Sequence, residues 1–376
     1  MPPGSRPGRS FGSLMNRSSG YGSIPKTMKF HNRQALQLET KALRVTVLTE
    51  GGHIAEILHK KAGINPLWIP PWSSIEPSQY DASLHPQYGL NVESKLLSGI
   101  MGHSLCLDIF GPPSDEELSQ GISVHGEASV APFVGDVQDG QLCLSSVLPH
   151  SRLRITRVIG IDDDELRVRI RESVDNLSAV DRPIAWTQHV SLGPPFLEAG
   201  ATQLTIRPER SRVFESEGFD SGGLVRGADF DWPYAPKLGG GVADLRVFAG
   251  HARTSSFTAH LLDRSSNQAS FTAYSPVAHV SFGYQWDRRD FPWLGIWEEN
   301  KSRQNQPWNG ETVACGLEFG VSPFPEGREK MVQREKLFGA SAFRRLRGSE
   351  RVSVEYSAFV GQGQGFPGEA SGLVRQ

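Results

Sequence analysis

The feature that most constrains this chain is a repeated alternation of apolar and polar residues with a period of two. In residues 165–174, Leu166, Val168 and Ile170 alternate with three arginines. Because successive side chains of a β-strand point to opposite faces, such a segment buries one face and leaves a solvated arginine row on the other. The same period occurs in residues 44–48, 141–148, 152–159, 203–206, 257–262, 269–274, 279–284, 312–321 and 351–360. The pattern predicts an antiparallel all-β fold, either a sandwich or a barrel.

Helical patterns are confined to two short segments, residues 115–119 and 329–340. A parallel sheet needs a crossover of a dozen or more residues between neighbouring strands, usually a helix. Turn residues such as the aspartates at 162–164 and the glycines at 239–241 separate the predicted strands instead. The sequence therefore disfavours Rossmann and TIM-barrel architectures.

Charge and apolar runs limit the classes of partner. The 39 basic and 41 acidic residues give a formal net charge of -2, so we expect no nucleic-acid partner. No apolar run approaches the roughly 18 to 20 residues that cross a bilayer, so we expect no membrane association. The three cysteines are far apart and lie in apolar segments, which favours reduced thiols and a cytoplasmic location.

The two ends of the chain differ in composition from the rest. Residues 1–30 are rich in Ser, Gly and Arg and contain no carboxylate side chain, which predicts a disordered tail. An organelle transit peptide is the alternative interpretation of this segment. Residues 361–376 are rich in Gly and predict a second flexible tail. We therefore expect one domain, over residues 31–360.

Three segments place an ionisable residue among apolar residues and glycines. His125 lies in residues 121–127, His189 in residues 186–193 and Glu318 in residues 314–325. A carboxyl group between Leu317 and Phe319 costs several kcal/mol to bury without a partner, so Glu318 should be hydrogen-bonded or have a raised pKa. Six of the eight tryptophans lie between residues 186 and 308, and their flat rings can stack on the C–H face of a pyranose.

The three segments together resemble the aldose 1-epimerase, or galactose mutarotase-like, family. His125-Gly126 is similar to the family's first histidine motif, and Thr187-Gln188-His189 is similar to the second. Leu317-Glu318, followed by Pro323, resembles the family's glutamate motif near the C-terminus. Residues 51–57 resemble an early strand pair that begins with a glycine turn, so the resemblance spans residues 36–359.

The resemblance implies a large antiparallel β-supersandwich that acts on a small-molecule carbohydrate. It also implies interconversion of the anomers of an aldose by ring opening, with Glu318 as general base and His189 as general acid. His125 would donate a hydrogen bond that orients the ring, and Gln188, next to His189, would be a further sugar-binding residue. Proton transfer between these groups needs neither a metal nor an organic cofactor, so we expect none.

Departures from the family pattern add further candidates for the sugar site. The segment that usually carries an arginine before the first histidine contains His103 and Asp108, and either can replace it. Glu127 stands two residues from His125, which on a strand would be the same face. In residues 291–300, Trp297 and Glu298 are expected to line the sugar site.

Three alternatives stay open at this point. His125, Glu127, His103 and His189 offer the nitrogen and oxygen ligands of a metal enzyme. The altered motifs are also compatible with a sandwich that binds carbohydrate without turnover. Finally, the acids in residues 291–300 could serve a lyase or hydrolase that cleaves a glycosidic bond with paired carboxylates.

Overall fold

Short, mostly antiparallel strands account for most of the regular structure in this computed structural model, which describes residues 28–217, 220–248 and 251–364. The strands, in chain order, are β1 Met28–Phe30, β2 Arg33–Glu39, β3 Leu43–Leu48, β4 Ile54–His59, β5 His103–Asp108, β6 Val134–Gln138, β7 Gln141–Leu148, β8 Leu153–Asp162, β9 Arg167–Asn176, β10 Arg182–Leu192, β11 Gln203–Ile206, β12 Pro208–Val213, β13 Asp229–Phe230, β14 Tyr234–Pro236, β15 Val242–Asp244, β16 Thr254–Leu262, β17 Gln268–Ser275, β18 Val280–Asp287, β19 Trp293–Asn300, β20 Val313–Gly320, β21 Lys336–Leu337, β22 Ala340–Ser341, β23 Arg344–Leu346 and β24 Arg351–Gln362. The α-helices are α1 Ser94–Leu97, α2 Asp115–Ser119 and α3 Arg328–Arg334.

Two large sheets contain most of the strands. The first sheet has the order β1-β2-β3-β4-β5-β10-β20-β19-β16-β12-β13, and β23 pairs with one end of β10. The second sheet has the order β11-β17-β18-β24-β9-β8-β7-β6. The strand pairs in both sheets are antiparallel, as the period of two predicts. The expected all-β supersandwich is confirmed.

The central strands of the first sheet are buried on both faces. In β10, Ile184, Trp186 and Val190 belong to the main apolar core, which also contains residues of the second sheet. Ala185 belongs to a separate apolar cluster on the other face, together with Phe257 of β16. Because side chains alternate along a strand, one face of the first sheet packs on the second sheet and the other supports a separate layer of loops and short helices.

Most predicted elements lie where the sequence placed them. The predicted strand at 141–148 coincides with β7, and the predicted helix at 115–119 coincides with α2. The second predicted helix, 329–340, is shorter than expected because Glu335 has a positive φ of 51° and ends it, after which β21 and β22 form a small hairpin.

The strands extend a few residues beyond both of the domain limits expected from composition. Residues 28–30 form β1 because they pair with β2 at the edge of the first sheet, and β24 continues to Gln362. The rest of the two predicted tails, residues 1–27 and 365–376, lies outside the described residues. Among the helices of the described part of the chain, none has the length and apolar character needed to span a bilayer.

Candidate functional site

A deep cleft opens on the face of the first sheet that points away from the second sheet. Its volume is about 1820 Å³, and its floor contains His189 of β10, Trp297 of β19 and Glu318 of β20. The loops and short helices around α1, α2 and α3 form its walls. Pockets for small molecules usually measure about 300 to 1,000 Å³, so this cleft can hold a ligand larger than one sugar ring.

His189 and Glu318 contact each other on the floor of the cleft. The antiparallel register places His189 directly opposite Glu318, and His189 Nε2 lies 3.1 Å from Glu318 Oε1. Gly316 makes this position possible, because a Cβ atom there would collide with Glu318 Oε1. The other ring nitrogen, His189 Nδ1, lies 3.2 Å from the hydroxyl oxygen of Ser191 on the same strand face. The site therefore contains an adjacent carboxyl and imidazole in fixed orientation.

Burial shifts the pKa values of this pair in opposite directions. It raises the pKa of the Glu318 carboxyl well above its usual range and lowers the pKa of His189 to about 4. In both cases removal from water disfavours the charged form. At neutral pH these directions favour a protonated carboxyl beside a neutral imidazole. A carboxylate beside an imidazolium holds the same number of protons, so one proton moving across the 3.1 Å contact interconverts the two forms.

His125 reaches the same place from a turn rather than from a strand. Its ring centroid lies 4.8 Å from that of His189, and both residues line the cleft. Within the described part of the chain, His125 Nδ1 has no hydrogen-bond partner. Burial lowers the pKa of His125 well below its ordinary value, so the ring is neutral at pH 7. A neutral imidazole that lines the cleft can donate to or accept from a ligand hydroxyl.

Gly126 fixes the turn that carries His125. Gly126 has a φ of 83°, and a Cβ atom there would collide with the carbonyl oxygen of Leu107. His125 itself has a φ of 67°, in the left-handed region that non-glycine residues rarely adopt. The turn therefore requires glycine after the histidine, which gives a structural reason for the His-Gly motif.

Aromatic rings continue the floor of the cleft away from the acid–base pair. The ring of Trp297 lies 6.1 Å from that of His189, and the ring of Trp308 lies 6.2 Å from that of Trp297. Trp68 is stacked on Trp308 with a centroid distance of 6.4 Å. The indole N–H groups of Trp297 and Trp308 are buried and have no acceptor among the described residues. Buried polar groups without partners are rare, so these two donors are an unusual feature of the aromatic floor.

Two of the predicted site residues, His103 and Gln188, lie on the opposite face of the first sheet. The side chain of His103 contacts the hydroxyl group of Tyr284 and the Gln188 amide oxygen, each at 2.9 Å. Gln188 also donates to Glu172 of the second sheet at 2.6 Å. Gln188 is adjacent to His189 in β10, so the alternation of side chains directs it away from the cleft. Neither residue can contact a ligand there.

Three further predicted residues have structural partners instead of cleft positions. Asp108 is 1 % exposed and forms ion pairs with Arg182 and Arg328. Glu127 accepts hydrogen bonds from the backbone N–H and hydroxyl of Ser151, because it begins a short 3₁₀ turn and does not continue a strand from His125. Glu298, next to Trp297 in β19, lies on the face that points to the main core and accepts from Ser256 at 3.4 Å.

The geometry also bears on the metal-enzyme alternative. Of its four proposed ligands, only His125 and His189 line the cleft, while His103 and Glu127 point elsewhere. Among the described residues no group of three or more His, Cys, Asp or Glu is arranged to hold a metal ion. The residues named for this alternative therefore do not form one site.

Ser191 and Arg303 were not identified from sequence, and Trp308 was considered only as one of six tryptophans that could stack on a sugar. Ser191 could have been found, because it stands two residues after His189 on the same strand and so shares its face. Trp308 and Arg303 lie in the loop after β19, and the Arg303 guanidinium stands 4.6 Å from the centroid of the Trp308 ring. No periodicity in a loop indicates which way its side chains point.

Solved structures with the same architecture are numerous, although no protein-family model and no curated protein matches the chain. One is described as a "putative aldose 1-epimerase" from Klebsiella pneumoniae, with a TM-score of 0.65, 14% identity, and coverage of 88% of this chain and 79% of that one. A galactose mutarotase-like protein from Clostridium acetobutylicum gives a TM-score of 0.58 at 12% identity, covering 90% and 98% of the two chains. Another from Lactobacillus casei gives 0.55 at 13% identity, covering 87% and 100%. Such low identities support a conclusion about architecture alone, and that conclusion is that the chain has the fold of the galactose mutarotase-like proteins.

Proposed function

We propose that this protein is a carbohydrate-binding isomerase that interconverts the anomers of an aldose. The observation that carries the proposal is the 3.1 Å contact between His189 Nε2 and Glu318 Oε1 on the floor of an open cleft. A carboxyl and an imidazole at this separation can act on two neighbouring oxygens of one sugar ring. The fold shared with proteins named for this reaction supports the same conclusion.

The reaction needs one proton taken and one proton given. Glu318, as the general base, removes the proton of the anomeric hydroxyl, and His189, as the general acid, protonates the ring oxygen. The C1–O5 bond breaks as the C1=O1 bond forms, which gives an open-chain aldehyde. Rotation about C1–C2 and closure by the reverse steps give the other anomer. His125, which lines the cleft, orients the ring by a hydrogen bond.

The raised pKa of Glu318 and the lowered pKa of His189 are compatible with these roles. The pair carries one transferable proton in either form, and the proton is on the imidazole once it crosses the 3.1 Å contact. A sugar hydroxyl that donates to Glu318 favours the carboxylate form, because a charged acceptor makes a stronger hydrogen bond. The pair ends each turnover with the same number of protons, so no cofactor is consumed.

The lyase or hydrolase alternative receives less support. Paired carboxylates in such enzymes flank the scissile bond. Glu298 points towards the core, and Glu299 is fully buried and accepts from the backbone N–H and hydroxyl of Ser302. Neither acid of this segment lines the cleft, and Glu318 has an imidazole rather than a second carboxylate beside it.

Anomer exchange measured by NMR on α-glucose and α-galactose tests the proposed reaction. Removal of a general base or acid slows catalysis by about 10² to 10⁴-fold, so Glu318→Gln should lower kcat by that factor. Glu355→Gln, at an exposed residue of β24, is the matched control and should retain wild-type rates. Equal rates for wild type and Glu318→Gln would contradict the role of Glu318 as general base and, with it, the proposed reaction.

A further inference from the structure

A second cavity adjoins the cleft behind Arg303. Its volume is about 450 Å³, and it shares Glu93, Arg303 and Trp308 with the main cleft. These three side chains therefore form a partition between the two cavities. Two ring contacts connect the partition to the catalytic pair: the ring of His189 contacts Trp297, and the ring of Trp297 contacts Trp308.

The partition contains a partly exposed ion pair, and its arginine is also anchored by the buried Glu299, whose Oε2 lies 3.7 Å from Arg303 Nε. Arg303 Nη1 lies 3.2 Å from Glu93 Oε2, and the two side chains are 27% and 34% exposed. Ion pairs with this much solvent contact are weak, so a ligand hydroxyl can replace Glu93 at the Arg303 guanidinium at little cost. The Arg303 guanidinium lies over both Trp308 and Trp297, where it can donate a hydrogen bond to a ligand that passes it.

Polar groups line the second cavity and match the chemistry of sugar hydroxyls. Asn91, Asp220, Ser255, Ser302 and Asn305 supply amide, carboxylate and hydroxyl groups. Sugar hydroxyls both donate and accept, so such a mixed lining can satisfy them. Trp297 and Trp308, whose buried N–H groups have no acceptor among the described residues, line the main cleft.

We propose that the second cavity binds the next sugar ring of a neutral reducing disaccharide or longer oligosaccharide, a proposal that rests on the isomerase function. The reducing ring lies at His189 and Glu318, where its free anomeric carbon reacts. The second ring lies beyond the partition. Among the residues that line this cavity, the two carboxylates of Glu93 and Asp220 outnumber the one cation, Arg303. The resulting negative charge disfavours phosphorylated or acidic sugars there.

Affinity measurements by calorimetry test the subsite with four probes: glucose, galactose and the β-1,4-linked disaccharide of each. The wild-type protein should bind each disaccharide about tenfold more tightly than its reducing-end monosaccharide, as expected for two or three added hydrogen bonds. In the double variant Asp220→Ala/Asn305→Ala this ratio should fall to about one. The control Asp164→Ala/Asn267→Ala, at two exposed turn residues, should keep the wild-type ratio.

The outcomes separate the two proposals. Equal affinities for monosaccharide and disaccharide in the wild type, or an unchanged ratio in the double variant, would overturn the subsite. Anomer exchange on monosaccharides without a disaccharide preference would leave the isomerase function in place and overturn the subsite alone. A disaccharide preference without exchange would overturn the isomerase function alone, and failure to bind any of the four sugars would overturn both.

Discussion

A buried ion pair lies between the two sheets, directly behind the strand that carries His189. The side chains of Arg157 and Glu172 are 1% and 0% exposed, and Arg157 Nε donates to Glu172 Oε1 at 2.7 Å. The same carboxylate accepts from Tyr356, Trp186 and Gln188 at 2.8, 3.0 and 2.6 Å. The network therefore joins β8, β9, β10 and β24 through one carboxylate.

Glu172→Gln removes the charge and nearly preserves the shape. Breaking one partner of a buried ion pair costs about 3 to 5 kcal/mol, because the remaining charge stays buried without compensation. Unfolding entropy near the melting temperature is about 0.7 kcal/mol/K for a domain of this size. The Tm should therefore fall by about 4 to 7 °C, measured by calorimetry at pH 7.

Two further variants make this prediction specific. Arg157→Met/Glu172→Gln removes the uncompensated cation as well, so it should be more stable than the single variant. Glu355→Gln breaks the exposed pair with Arg171, whose side chains are 65% and 66% exposed, and should change Tm by less than about 1 °C. A single variant with wild-type Tm, or a double variant no more stable than the single one, would refute the reasoning.

Four shorter predictions concern the site and its surroundings. The kcat/KM for anomer exchange should be constant from pH 7 to about 5 and fall below pH 4, where the pair of His189 and Glu318 gains a second proton. A fall that begins at pH 6.5 would contradict the lowered pKa of His189. Gly126→Ala should weaken sugar binding and lower the free energy of unfolding by about 1 to 3 kcal/mol, measured by urea titration, because its φ and the Leu107 carbonyl both exclude a Cβ atom. Trp297→Ala should abolish sugar binding with an unchanged circular dichroism spectrum, whereas unchanged affinity would exclude it from the site. Burial lowers the pKa of His260 to about 3, so the neutral histidine stabilises the fold above pH 6.5, and this stabilisation is lost as the pH falls towards 3. Between pH 7 and 5, the wild type should therefore lose about 2 kcal/mol more of its unfolding free energy than His260→Asn.

Some site residues could have been placed more accurately from sequence. Gln188 and Glu298 are neighbours of His189 and Trp297 on their strands, and a period of two puts neighbours on opposite faces. The same rule assigns Ser191 to the face of His189. For these residues the strand pattern alone is sufficient to predict which face of the sheet each side chain occupies.

Other positions depend on contacts that no local pattern specifies. His103 turns away from the cleft because the register pairs it with Val190 rather than with His189. Glu127 turns away because His125 and Gly126 both have positive φ, which ends any strand before it. Arg303 and Glu93 meet at the edge of the cleft although 210 residues separate them.

The sequence by itself determined the all-β architecture, most strand positions and the three polar groups on which the proposed chemistry depends, because side-chain alternation and buried ionisable residues are local properties of a chain. Expectations about the two tails, a cytoplasmic location and the absence of a nucleic-acid partner stay predictions. The tertiary structure alone decided that His189 faces Glu318 across two strands, that His103 and Glu127 stay outside the cleft, and that a second cavity adjoins it. Strand register and loop packing bring together residues distant in sequence, and both depend on the free energy of the whole fold rather than on any one segment.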